Sequence, residues 1–332
     1  MTTATVPAGG APAPARHMDP RLLFALRRGA RLLVSLWVLV TAAFLMIHLI
    51  PGDPVRAALG MTASPELVAA RRAELGLDDP LGRQYLRFVG GLFTGDLGSS
   101  TLSGQPVTRT IGDRLPATLQ LACLAFLVAL LIAIPLGVAM AALTRGGRRR
   151  GAELAFTGTS VLLAAVPEFL LAVVLAYVFG VRLGWFPVAG RQGPDSYVLP
   201  VLALAIGPAS VLARIGRVEM LSVLSRDYVR TARAKRLPSH TVYLRHALPN
   251  ALTATLTLGG LLLSALVAGT VLVENVFAWP GLGSTIVQSI LQQDYPLVQG
   301  IVLVYGAGVL LVNLAVDVGL ALLDPRSAIR EV

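Results

Sequence analysis

The chain has 332 residues, 55% of them hydrophobic and 14% charged, with a formal net charge of +10. A soluble domain usually carries about 25% charged residues, so this composition excludes an ordinary soluble enzyme or binding module and indicates one polytopic membrane bundle. Its positive charges fall mainly in short segments between apolar runs, where they set topology and do not imply a nucleic-acid partner. Cys123 is the only cysteine, which excludes an intramolecular disulfide and a cysteine-pair metal site.

A membrane span needs about 20 apolar residues, rising about 1.5 Å each, to cross about 30 Å of hydrocarbon. Residues 1–25 are dominated by Thr, Ala, Pro and Gly and read as a disordered cytoplasmic tail. Arg27, Arg28 and Arg31 precede the run 32–50, which is too long for the core of a cleaved signal peptide and reads as the first span. An outer segment, 51–116, follows, with amphipathic pieces around 66–75 and 84–93 that are not apolar enough to cross. The second span covers about 118–143 with Pro135 and Gly137 inside it, and the tight basic loop 145–150 ends it. A third span, about 154–179, is interrupted by Pro167 and Glu168, and its exit places Trp185 and Tyr197 as interfacial aromatics.

The fourth span, about 198–215, leads into a polar basic stretch at 218–250. The fifth, about 252–273, has Gly260, Ser264 and Ala268 on one small-residue face suited to close helix packing. The sixth covers about 297–323, and 329–332 form a short tail. With both termini in the cytoplasm, nineteen of the 28 Lys and Arg residues lie on the inner side and nine on the outer, as the positive-inside rule requires. The expected fold is therefore all-α with six transmembrane helices in a cytoplasmic membrane.

Within 218–250, Arg226, Arg230 and Arg233 recur at helical spacing on one face, while Val229 and Ala232 lie on another. Asp227 is the expected N-cap. Pro238 disfavours helix at Leu237, Ser239 is placed to cap a second short helix, and Pro249 is expected to end it. Two helices this short are marginal in water and need a partner surface.

The string Asp227-Tyr228-Val229-Arg230-Thr231-Ala232-Arg233-Ala234-Lys235, followed by Arg245-His246-Ala247-Leu248 and Asn250-Ala251-Leu252, resembles the cytoplasmic coupling motif of binding-protein-dependent ABC importer permeases. Further blocks resemble the first permease subunit of the dipeptide, oligopeptide and nickel branch: Ile50-Pro51-Gly52-Asp53-Pro54, Leu75-Gly76-Leu77-Asp78-Asp79-Pro80, Gly95-Asp96-Leu97-Gly98, Arg114-Leu115-Pro116-Ala117-Thr118, Leu183-Gly184-Trp185-Phe186-Pro187, Trp279-Pro280-Gly281-Leu282-Gly283 and Leu323-Asp324-Pro325-Arg326.

The resemblance implies a permease subunit of an ATP-driven importer for di- or oligopeptides in a bacterial cytoplasmic membrane. Its implied partners are a second homologous permease, two ATP-binding subunits, an extracytoplasmic solute-binding protein and membrane lipid. It places ATPase coupling on Asp227, Tyr228, Arg230, Thr231, Ala232, Arg233, Ala234, Lys235, Arg236, Leu237, Arg245 and His246. Arg236 departs from the family, which usually has glycine there for a tight approach or a positive φ. Pro238 is expected to supply the break instead, and Arg236 to meet an acidic position on the ATPase.

ATP hydrolysis needs a Gly-x-x-x-x-Gly-Lys-Ser/Thr cradle. The only lysine, Lys235, follows Ala234, so no such loop exists and ATP with its magnesium belongs on partner subunits. An ion-coupled carrier is the alternative, as is an importer of nickel or another small solute. Glu168 at mid-span either lines the pathway, attracting a cationic amine or metal, or satisfies a contact between helices. Asn313 and Asp317 share one polar face of the sixth span, read chiefly as a packing face. Trp279, in a turn-rich loop, either faces substrate or builds the turn. Glu274 reads as interfacial. No histidine spacing suits a metal, and no nucleophile, base and orienter group together.

Overall fold

The computed structural model describes residues 20–49, 54–59, 63–74 and 76–323, and among these the regular structure is helical apart from one isolated bridge between Ser99 and Pro106. The Pro51-Gly52-Asp53 block, the Asp324-Pro325-Arg326 block, the tail 329–332 and most of the amino-terminal tail lie outside the described residues. Helix α1, Pro20–Leu49, begins inside the stretch expected to be a tail. The outer segment holds α2 (Pro54–Leu59), α3 (Pro65–Glu74) and α4 (Leu81–Thr94). They are followed by α5 (Val107–Thr144), α6 (Arg150–Ala165), α7 (Glu168–Leu175, continued by π-helical Ala176–Arg182), α8 (Val198–Leu224) and α9 (Asp227–Ala234). The chain closes with α10 (Ser239–Thr241, continued by π-helical Val242–Ala247), α11 (Leu248–Val276), α12 (Leu282–Leu291) and α13 (Tyr295–Leu323).

Helices α5 and α8 form the closest pair in the bundle. Ala117, Leu121, Ala125, Ala129, Ala133, Gly137 and Ala141 recur every four residues along α5, and all are buried. Small side chains let two backbones approach and gain dispersion contact, the main source of helix association in a membrane. The approach is tightest at Gly137, where a Cβ would lie 2.9 Å from the Ala213 carbonyl oxygen of α8. Helix α5 also starts eleven residues before the expected span, carrying Pro116 within it.

The third expected span is not one helix. Helices α6 and α7 meet at 95°. Val166, held extended before Pro167 (φ −73°, ψ 122°), ends α6, and Glu168 opens α7. Among the described residues five helices are long and apolar enough to cross a membrane, and six spans result if this broken pair counts as one.

Helix α1 sits at the edge of the bundle against α13 and α4. Arg28 of α1 forms an ion pair with Asp317 of α13, and Gln299 Nε2 donates to the Ala43 carbonyl at 3.1 Å. Phe44 meets Tyr85 of α4 edge to face, with ring centroids 5.2 Å apart. The hairpin 98–106 closes through Val107 N to Gly98 O (3.0 Å) and Ser100 N to Gln105 O (2.9 Å). Buried Asp294 anchors it by accepting hydrogen bonds from the Ser100 hydroxyl and the Thr101 amide.

Candidate coupling surface and the contacts behind it

Helix α8 runs nine residues past the expected end of the fourth span because Met220, Val223 and Leu224 keep an apolar face at helical spacing. Those three pack with Val229 and Ala232 of α9, Val242 and Ala247 of the following helix, Ala251 of α11 and Ala141 of α5. The basic stretch is therefore welded to one end of each of three long helices. Its remaining face is exposed: Asp227, Tyr228, Arg230, Thr231, Ala234, Lys235, Arg236, Leu237 and Arg245 all face outward, with Arg233 and His246 half-buried.

The helix ends differ from the sequence expectation. Arg226, extended at φ −70° and ψ 152°, occupies the N-cap position, and Asp227 is the first helical residue, its side chain loosely paired with Arg230 at 3.6 Å. Pro238 precedes the second helix where Ser239 was expected to cap it. Pro249 does not end that helix; it lies in the first turn of α11, where its missing N–H costs nothing.

The break after α9 lies at Arg236 itself, with φ +56°. Leu237 N reaches the Ala232 carbonyl (3.4 Å) and Arg236 N the Arg233 carbonyl (2.8 Å). These two bonds define a Schellman cap with arginine in the left-handed position that glycine usually fills. Pro238 follows the turn and does not create it.

Between Arg226 and Arg245 stand five arginines and a lysine, and one carboxylate, Asp227. None of these cations is buried, so the surface presents concentrated positive charge to whatever docks there.

A second contact lies just behind. Arg217 of α8, only 7% exposed, pairs with Glu153 of α6 at 2.7 Å and donates from Nε to the Thr144 hydroxyl of α5 at 3.0 Å. The sequence reading missed it, although an arginine two turns inside an apolar helix is the signal that marks it.

The four pathway candidates are not brought together. Glu168 is half-buried against Gly269 of α11 and makes no hydrogen bond or ion pair among the described residues. Asn313 accepts from the Ser264 hydroxyl at 2.7 Å, and Asp317 pairs with Arg28. Trp279 is fully buried, its Nε1 donating to the Ala117 carbonyl at 3.2 Å. Trp279 therefore builds the turn and is shielded from solvent.

Glu274, expected at an interface, is fully buried in this same turn. Its carboxylate accepts from the Thr118 hydroxyl (2.7 Å) and from the Gly283 and Ser284 amides (2.7 and 3.1 Å) at the start of α12. Side chains at Gly281 or Gly283 would run into that carboxylate.

The family model described as "Binding-protein-dependent transport system inner membrane component" matches residues 133–329, and that of its N-terminal region matches 21–122. The glutathione transport system permease protein GsiC of Salmonella paratyphi A is 39% identical over 305 residues, covering 92% of this chain and 98% of that protein. A putative peptide transport system permease protein of Brucella abortus (strain 2308) is 41% identical over 309 residues, covering 91% and 97%. Among solved structures, an inward facing conformation of the MetNI methionine ABC transporter superposes with a TM-score of 0.51 at 19% identity, covering 65% of this chain and 96% of that one. The fold is thus shared with a chain shorter than this one. Two family models, relatives matched over nearly their whole length, and the bundle of apolar helices agree: the chain belongs to the family of inner membrane components of binding-protein-dependent transport systems, and is a multi-pass permease subunit of an ABC importer.

Proposed function

We propose that this chain pairs with a second homologous permease to form the pathway for peptide-like solutes, di- or oligopeptides including glutathione, delivered by an extracytoplasmic binding protein. Two ATP-binding subunits, carrying nucleotide and magnesium, drive the cycle by docking on 227–250 at the cytoplasmic face. Both termini lie on that same side. The substrate class follows the names of the relatives, which are glutathione and peptide permeases.

One observation carries the coupling role: an exposed, strongly basic face stands on a helix pair whose other face is packed into α5, α8 and α11. A force applied to α9 reaches three spans without crossing a flexible joint. Nucleotide must bind one state of the complex more tightly than another, or no motion results. Glu168, whose carboxylate has no hydrogen bond or ion pair among the described residues, is the pathway residue we assign to the peptide ammonium group.

The test is co-purification of the ATP-binding subunits with Arg230→Glu/Lys235→Glu, together with transport by the reconstituted complex. The reading expects loss of both. Normal assembly and normal transport in the double variant would overturn the docking role.

A further inference from the structure

We propose that the cleft between α6 and the α5–α8 pair seats an anionic phospholipid of the inner leaflet, with one acyl chain in the cleft and the headgroup on the arginine loop 145–150. The cleft has a volume of about 510 Å³ and an apolar lining broken only by the hydroxyls of Thr159, Ser160 and Ser210. Ser210 spends its hydroxyl on the Ile206 carbonyl of its own helix, at 2.8 Å. The space therefore offers a hydrocarbon environment and little to hold a polar solute.

Its depth fits one leaflet. Along α6 the lining runs from Ala152 to Leu163, a rise of about 16 Å at 1.5 Å per residue, which is about half of a 30 Å hydrocarbon core. Helix α6 leans on α8 and α5, with Phe156 against Ala133, Leu212 and Ala213, but is otherwise loosely covered. Among its described residues only Ser160 is buried. One end hangs on a loop with positive φ at Gly146, Gly147 and Arg149, and the other ends at the break before Pro167. At the inner end Glu153 ties it to Arg217.

The charges at the mouth identify the occupant. Arg148, Arg149 and Arg150 are exposed, and none forms an ion pair among the described residues. The nearest carboxylate in sequence, Glu153, is engaged by Arg217 at 2.7 Å. Three uncompensated guanidinium groups thus stand where the positive-inside rule puts headgroups of the cytoplasmic leaflet. An apolar helix of a partner subunit could fill the cleft but supplies nothing for these charges. A phospholipid with a net negative headgroup satisfies both.

The experiment uses the whole importer containing this chain, reconstituted in nanodiscs of equal parts phosphatidylcholine and phosphatidylglycerol. It is then washed in detergent with phosphatidylcholine, and the phosphatidylglycerol retained per complex is counted by native mass spectrometry. Arg148→Gln, Arg149→Gln and Arg150→Gln are compared singly and together, with Ala155→Trp filling the cleft while leaving the charges in place. Phosphatidylglycerol affinity is expected to fall about fivefold for each arginine removed, the change equivalent to about 1 kcal/mol per basic residue near an anionic surface. Ala155→Trp is expected to abolish retention. Retention at the wild-type level in the triple variant or in Ala155→Trp overturns the proposal, the latter because it leaves lipid on the loop without the cleft. So does a cross-link from Ala155→Cys, in a Cys123→Ser background, to the second permease by a short thiol-to-amine reagent.

Discussion

Thr118 of α5 and Glu274 of α11, 156 residues apart in sequence, share a buried hydrogen bond of 2.7 Å, and the Thr118 hydroxyl also accepts one from the Leu282 amide at 2.8 Å. Through these two side chains α5, α11 and the start of α12 are fixed at one point. The carboxylate sits at the N-terminus of α12, where the helix dipole and free amides favour negative charge.

Replacing Glu274 with alanine leaves the Gly283 and Ser284 amides and the Thr118 hydroxyl without their acceptor. Each orphaned buried group costs about 1–3 kcal/mol. Glutamine keeps one carbonyl oxygen for the two amides, and the Thr118 hydroxyl can turn to accept from its amide nitrogen. Glu274→Ala is therefore expected to lower the thermal midpoint of the purified complex far more than Glu274→Gln. Equal shifts for the two variants would mean that the hydrogen bonds do not hold this junction.

Arg236 carries a backbone conformation that costs an L-residue about 1–2 kcal/mol and glycine almost nothing. Arg236→Gly is expected to stabilise the α9 turn by about 1 kcal/mol, read as slower amide exchange at Leu237. Arg236→Val should do the reverse, because a β-branched side chain tolerates positive φ least. The same pair separates backbone from charge: if docking of the ATP-binding subunits needs the guanidinium, both variants weaken it, whereas a purely conformational role lets glycine strengthen it.

The long apolar runs and the basic stretch were legible because composition and charge are local properties. Residues such as Val229 and Ala232 announced their buried face by helical spacing. Three features were hidden. The interruption at Pro167 was legible but its 95° bend was not, since prolines at 116, 135 and 208 remain inside continuous helices. The four-residue stripe from Ala117 to Ala141 was passed over for the shorter Gly260–Ser264–Ala268 face because alanine is common in any apolar run. The polar contacts of Glu274 and Arg217 depend on partners far away in sequence, which no local pattern reveals.

Arg28 and Asp317 hold the edge helix α1 to α13 by a partly buried ion pair. A hydrogen bond to a charged group contributes about 1.5–3 kcal/mol, and removing either residue takes that contact from the other. Asp317→Leu or Arg28→Leu alone is expected to reduce the yield of folded permease. The exchange Arg28→Asp/Asp317→Arg should restore most of it. A double variant no better than the singles would show that the two residues act separately.

If 227–250 is the coupling surface we propose, the Arg217–Glu153 pair lies in the path of its motion. It bridges α8, which leads directly into α9, and α6, which is jointed at both ends. Arg217 also holds the Thr144 hydroxyl at the end of α5. Glu153→Gln keeps the packing and one hydrogen-bond acceptor but removes the ionic attraction, so α6 separates from α8 more easily. The expected result is near-normal assembly with raised ATPase activity in the absence of the binding protein, because one restraint on movement of the inner ends is weaker. Arg217→Gln should share that uncoupling and add a loss of stability, since both Glu153 and Thr144 lose their donor in a site only 7% exposed. Basal ATPase at the wild-type level in Glu153→Gln, with transport intact, would assign the pair to static packing alone.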